Sequence, residues 1–140
     1  MAVSEPGNPA RPPPGVRLCA LAEIEDPGGK SFRFREGTRM FAGFVLRQGE
    51  AATGFVDSCP HAGWPLAPFD DRYVTRDKAH ILCAGHGALF TLDGLCVAGP
   101  CHGERIAPWP VAVRDGEGWK YVDNPDGGLE VWLGNRGDGR

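Results

Sequence analysis

Hydrophobic positions in this chain fall in short runs separated by turn-forming residues. The runs are Val16 to Leu21, Phe32 to Phe34, Met40 to Leu46, Phe55 to Val56, Ile81 to Leu82, Leu89 to Leu92, Cys96 to Ala98, Val111 to Val113, Trp119 to Val122 and Leu129 to Leu133. Between them stand Asp26-Pro27-Gly28-Gly29, Arg47-Gln48-Gly49-Glu50, Asp93-Gly94, Asp115-Gly116 and Asp126-Gly127-Gly128. Apolar runs of strand length punctuated by such turns predict a mainly antiparallel, all-β domain. No long apolar stripe recurs with the 3.6-residue period of a helix, and one short helix is expected around Leu21 to Glu25. Residues 1–15, with Pro12-Pro13-Pro14, read as a flexible lead-in, residues 16–133 as one folded domain, and residues 134–140 as a polar, Gly-rich tail. No repeat at a solenoid period is visible.

Composition narrows the class. The chain has 140 residues, the size of one domain. Its 21 Gly and 13 Pro make up about a quarter of it, as many turns between short strands require. Net charge is −3 and the 15 Lys and Arg are scattered, so no nucleic-acid footprint is expected. No apolar run is long enough to span a bilayer, so no membrane contact is expected. The N-terminus carries no signal-like apolar stretch, which makes the cytoplasm the expected location. Five cysteines, an odd number, argue against a full disulfide framework.

The chemistry concentrates in two boxes, Cys59-Pro60-His61-Ala62-Gly63-Trp64 and Cys83-Ala84-Gly85-His86-Gly87-Ala88. Each supplies one cysteine and one histidine, so Cys59, His61, Cys83 and His86 offer two thiolates and two imidazoles. Glycines in both boxes let backbone pass close to a cofactor. Two chemistries use this ligand set. A [2Fe–2S] cluster with mixed ligation takes both cysteines on one iron and both histidines on the other. Structural zinc takes two of each around one ion. Zinc fingers usually pair cysteine with cysteine and histidine with histidine, whereas here each box mixes the types.

The boxes resemble the Rieske [2Fe–2S] family in its C-x-H … C-x₂-H form. The resemblance extends over His80-Ile81-Leu82-Cys83-Ala84-Gly85-His86-Gly87-Ala88-Leu89-Phe90 and Gly94-Leu95-Cys96-Val97-Ala98-Gly99-Pro100 to Pro110-Val111, and spans about Val16 to Val122. It implies an antiparallel β base of stacked sheets with a small cluster-binding subdomain at one end, its loops lying at about residues 57–103. It also implies that Cys59 and Cys83 hold the buried iron, that His61 and His86 hold the outer one, and that Gly99-Pro100 packs over the cluster. In the high-potential branch of the family each box carries an extra cysteine, and the two form a disulfide; here Trp64 and Gly85 stand in those places. That branch also has hydroxyl side chains where this chain has Ala88 and Phe90. Fewer donors to sulfur leave the reduced cluster's charge less stabilised, so a low potential is expected, about −150 mV at the lower end of the range for such centres.

The resemblance implies a soluble ferredoxin, an electron carrier without its own substrate site, passing one electron at a time from a flavin reductase to a terminal oxygenase. A small Rieske-type subunit of a larger oxidoreductase, such as an assimilatory nitrite reductase, is the second reading, and a zinc-stabilised interaction module the third. The chain is short for an oxygenase with a second, mononuclear iron domain, and only His80 and His102 remain once the cluster ligands are assigned. His80 reads as structural and His102 as a surface residue. Cys19 reads as core, and Cys96 and Cys101 as buried thiols brought near each other by a turn, with a redox disulfide between them as the alternative. The apolar residues Trp64, Pro65, Leu66, Leu89 and Phe90 are candidates for a rim around the site, with docking favoured for Trp64 and shielding for Phe90. The 21 residues between His61 and Cys83 form a long interval. Its segment Phe69-Asp70-Asp71-Arg72-Tyr73 is either a partner-docking feature or a surface insertion.

Overall fold

The computed structural model describes residues 9–60, 65–67, 72–84, 87–115 and 129–134. Among the described residues the chain forms nine strands: β1 (Arg17–Ala20), β2 (Gly28–Glu36), β3 (Arg39–Gln48), β4 (Ala51–Val56), β5 (Ile81–Leu82), β6 (Leu89–Phe90), β7 (Cys96–Ala98), β8 (Val111–Asp115) and β9 (Leu129–Leu133). A single 3₁₀ turn, Leu21–Glu23, occupies the place where the short helix is expected. Arg47 on β3 holds that turn by donating to the carbonyls of Leu21 and Ile24, at 3.3 and 3.0 Å. The strands make three antiparallel sheets of three, in the orders β1-β9-β8, β2-β3-β4 and β5-β6-β7.

Strand β3 lies at the centre because both of its faces are apolar. Side chains of a strand alternate between faces. Phe41, Gly43 and Val45 face the β1-β9-β8 sheet, where Cys19, Val131 and Leu133 complete the base core. Phe44 and Leu46 face the opposite way, into a second core that contains Cys59, Cys83, Tyr73 and Phe90. One strand is thus the wall between the base and the end that carries the two boxes.

Trp109 fills the base. It stands ahead of β8, is 2 % exposed, and packs against the rings of Phe32, Phe34 and Phe41 at centroid distances of 6.1, 6.2 and 5.3 Å. A Cβ on Gly43 would collide with its ring, so the glycine in this apolar run makes room for the indole. The Trp109 N–H donates to the Gly54 carbonyl at 2.9 Å and the Val56 N–H to Ala107 at 2.8 Å, which carries β4 across to the segment leading into β8. Glu130 on β9 is fully buried, yet paired: Arg17 Nε donates to it at 2.8 Å and Trp132 Nε1 at 3.1 Å. A buried carboxylate persists only with such partners. Residues 9–15 lie on this base, with Ala10 buried, the Arg11 guanidinium 5.1 Å from the Phe41 ring centre, and the Gly15 N–H on the Leu133 carbonyl at 2.9 Å.

Two local expectations change. Gly28 and Gly29 read as part of a turn, but they begin β2 and are buried. A Cβ on Gly29 would meet the Tyr73 ring at 2.7 Å, so this glycine admits a side chain from far along the chain. The run Leu89 to Leu92 is strand only to Phe90. Thr91 ends it by turning its hydroxyl to Asp93 and accepting the Leu95 N–H at 3.1 Å. The run Trp119 to Val122 and the turns at Asp115-Gly116 and Asp126-Gly127-Gly128 lie outside the described residues, apart from the backbone of Asp115 at the end of β8 and Gly128's neighbour Leu129 in β9.

Candidate metal centre

The two boxes leave the fold at neighbouring points. The first follows β4, and Cys59 turns into the second core with 1 % exposure. The second is the loop between β5 and β6. The Cys83 N–H donates to the Ala88 carbonyl and the Gly87 N–H to the Cys83 carbonyl, each at 2.9 Å, and Gly87 takes a φ of 72° that favours glycine. Cys83 also is 1 % exposed and lies in the same core. The boxes are joined directly, because the Ala84 N–H donates to the Leu66 carbonyl at 2.9 Å. That bond ties the residue after Cys83 to the segment just past the first box. His61 and His86, like Trp64 and Gly85, lie outside the described residues.

Asp57 and Tyr73 organise the first box. Asp57 is 5 % exposed, accepts the Leu66 N–H on Oδ1 and the Tyr73 hydroxyl on Oδ2, both at 2.9 Å, and so clips together the chain on either side of Cys59 and the far end of the long interval. Tyr73 is fully buried and stacks on Phe44, with rings 4.2 Å apart and 7° from parallel. Both carboxyl oxygens of Asp57 are engaged in these bonds; sequence reasoning did not single out Asp57 and read Tyr73 only as part of the interval segment. The pair Tyr73-Val74, between Asp70-Asp71-Arg72 and Thr75-Arg76-Asp77-Lys78, was the available signal for Tyr73.

The structure corrects the picture of the interval and the rim. Tyr73 is neither docking feature nor surface insertion: it is a core residue, held by Phe44 and Asp57. Leu66 is fully buried rather than a rim residue, and Phe90 is fully buried in keeping with shielding; each turns its side chain into the core around the cysteines. Pro65 and Leu89 are half-buried, and Ala84 and Gly87 are exposed at the loop surface. Phe69, Asp70 and Asp71 lie outside the described residues. His80 is half-buried in the bend before β5, where its N–H donates to Thr75 Oγ1 at 3.2 Å and its carbonyl accepts the Thr75 N–H at 2.9 Å. The same bend is closed by Asp77, whose carboxyl is held below its ordinary pKa, first by the Thr75 hydroxyl and then by the Ala79 N–H. His102 is exposed. Cys19 is a buried thiol of the base core.

The donors fit a thiolate-held metal. Cys59 and Cys83 are both buried in one apolar core, on segments joined by a backbone hydrogen bond. Buried thiolates are costly without positive charge, and a coordinated metal supplies that charge while deprotonating the thiols.

A three-sheet β domain that gathers Cys59 and Cys83 into one core at one end has the architecture of a small cysteine-bearing β module. The comparison with family models specifies it: this chain belongs to the Rieske [2Fe–2S] domain family, whose model matches residues 16–114. Solved structures share the fold. The ferredoxin of carbazole 1,9a-dioxygenase from Nocardioides aromaticivorans IC177 is 18 % identical, with a TM-score of 0.57 over 86 % of this chain and 97 % of that one. The ferredoxin of Sphingomonas yanoikuyae B1 is 23 % identical, with a TM-score of 0.56 over 85 % and 96 %. A complex of reduced oxygenase and oxidised ferredoxin in carbazole 1,9a-dioxygenase matches at 22 % identity and a TM-score of 0.57, over 85 % of this chain and all of that one. Comparison with curated proteins finds no match. Among the described residues no helix is long and apolar enough to cross a membrane.

Proposed function

We propose that this protein is a low-potential electron carrier, taking one electron at a time from a flavin reductase and delivering it to a terminal oxygenase. In this reading Cys59 and Cys83 hold one iron of a [2Fe–2S] cluster and His61 and His86 the other. The observation that carries it is the pairing of the two boxes: Cys59 and Cys83 share one apolar core, and the Ala84–Leu66 hydrogen bond fixes their loops side by side. The family membership and the dioxygenase ferredoxins of the same fold support the carrier role. When bound, the cluster supplies reversible one-electron chemistry.

The chain's own residues then set the conditions for that chemistry. Leu66, Phe90 and Phe44 exclude water from the sulfurs of Cys59 and Cys83. Ala84 and Gly87 are exposed, so a partner protein can approach the second-box loop closely. The potential is kept low by what the core withholds. Ala88 and Phe90 carry no hydroxyl, and the Tyr73 hydroxyl is committed to Asp57. Donors to sulfur stabilise the reduced state, so their scarcity favours a strong reductant.

Anaerobic purification followed by absorption and EPR spectroscopy, before and after dithionite, tests the reading. A red-brown protein with acid-labile sulfide, a mixed-ligand [2Fe–2S] signal on reduction and a midpoint near −150 mV is expected. A colourless protein with one zinc ion overturns the carrier. A midpoint above about +100 mV, in the upper part of the family range, overturns the low-potential assignment.

A further inference from the structure

A second pair of cysteines lies in the same core and is not used by the metal site. Cys96 begins β7 and Cys101 lies beyond the turn that follows it, and each is 1 % exposed. Their Sγ atoms are 2.6 Å apart, with the Cys101 thiol directed at the Cys96 sulfur. Both are thiols in the structure. The backbone pins both ends of the loop: the Cys96 N–H donates to Glu104 at 2.8 Å, Gly103 to Cys96 at 2.9 Å, and Glu104 to Cys101 at 2.8 Å. Joining the sulfurs therefore needs no rearrangement of the chain, the condition that most cysteine pairs fail. The loop they would close rests on the second box. A Cβ on Gly99 would meet the Ala88 Cα at 3.0 Å, and Ala88 is the residue whose carbonyl accepts the Cys83 N–H.

We propose that Cys96 and Cys101 are a redox pair, oxidised by a peroxide to a disulfide that clamps residues 97–100 against the second box. The Cys96 sulfur, as thiolate, attacks the O–O bond of hydrogen peroxide. That bond breaks, one oxygen leaves as hydroxide and takes up the thiol proton to become water, and Cys96 becomes a sulfenic acid. The Cys101 sulfur then displaces the sulfenic oxygen, which leaves with the second thiol proton as another water. Two thiols and one peroxide thus give one disulfide and two waters, a two-electron oxidation of sulfur. A dithiol reductant reverses it by thiol–disulfide exchange. The disulfide-bearing branch of the family bridges its two boxes; this pair would instead close the 97–100 loop on itself, where Gly99 rests on Ala88.

The test counts thiols in the purified holoprotein, so it does not depend on the cluster. Protein treated with one equivalent of hydrogen peroxide is denatured in excess alkylating agent and weighed by intact mass spectrometry. Three alkyl groups are expected, against five in untreated or dithiothreitol-treated protein, with the missing pair mapped by fragmentation to Cys96 and Cys101. Five alkyl groups after peroxide, or a bridge involving Cys19, Cys59 or Cys83, overturns the proposal. Hydrogen exchange reads the clamp: the amides of Gly103 and Glu104 slow at least tenfold on oxidation in the wild type and not in Cys96→Ser, and unchanged rates in the oxidised wild type overturn it. A colourless zinc protein that still forms this bridge would sink the carrier reading and leave this one standing; a red-brown protein that keeps five thiols would do the reverse.

Discussion

The two ends of this molecule are held together by different means, though they share strand β3. In the base, β2 and β3 pair from Gly28↔Arg47 to Glu36↔Arg39, β4 continues the sheet, and Trp109 fills the space to the facing sheet. At the box-bearing end, β5 and β6 pair over only Ile81↔Phe90 and Leu82↔Leu89. Ladders that short contribute little alone. That end relies instead on side chains, namely the Asp57 clip to Leu66 and Tyr73 and the Tyr73–Phe44 stack. The contrast assigns the work of folding to the base, and to the other end the work of bringing Cys59 and Cys83 into one core with little regular structure.

The sharpest way to break that contrast is to remove the base's anchor. Replacing Trp109 with Ala deletes a buried indole from a pocket that Gly43 and the Phe32, Phe34 and Phe41 rings shape around it. Large aromatic truncations of this kind cost about 3–5 kcal/mol, and here both ends should lose stability together. Urea unfolding followed by fluorescence and by cluster absorption in parallel gives the answer. Coincident transitions at a lower urea midpoint support the base as the foundation. A box-bearing end that keeps its wild-type midpoint would show that it folds independently.

A smaller change should separate the two ends. Tyr73→Phe keeps the stack on Phe44 but removes the hydroxyl that Asp57 accepts. Leaving a buried acceptor without its donor costs about 1–3 kcal/mol. The loss should fall on the box-bearing end, read as faster amide exchange at Leu66 and Leu82, while the β2–β3 ladder exchanges at the wild-type rate. The Leu66 N–H bonds to Asp57 and the Leu82 N–H to the Tyr73 carbonyl, so both report this clip. Equal acceleration along β2 and β3 would show that Asp57 and Tyr73 support the whole fold.

The same contrast explains what the sequence made legible. The base strands are long enough for their apolar runs to show, and the runs at Met40 to Leu46 and Leu129 to Leu133 fall within β3 and β9. The boxes were legible for another reason: metal chemistry needs particular residue types at short spacing, so Cys59 and Cys83 stand out without any knowledge of the fold. What escaped were contacts made across long sequence separations. Gly29 is a strand residue because Tyr73 covers it, and Tyr73 is core because Asp57 and Phe44 receive it. Leu66 looked like a rim residue because an apolar residue beside a ligand box has two possible directions, and only the second core decides between them.

The base also holds a buried thiol, and its titration offers the smallest and most specific test. Burial pushes Cys19 from an ordinary pKa of 9.0 up to about 11; the Glu23 charge adds to the rise, and Lys30 and Arg17 oppose it. The sign follows from proton counting. Between pH 9 and 11 the unfolded chain has released this proton and the folded one still holds it, so the folded state binds more protons and stability falls as pH rises. Below pH 9 both states hold the proton and the contribution is constant. Cys101, pushed up to about 12 by burial first and then by its contact with Cys96, adds a similar slope from the other end of the molecule. Cys19→Ala removes one slope and keeps the other. Its urea midpoint should therefore decline less steeply than the wild type's from pH 9 to 11, by on the order of 1 kcal/mol at the upper limit. Parallel declines would mean that Cys19 ionises as readily folded as unfolded. The base core around it would then admit water, against the 2 % exposure that places it inside.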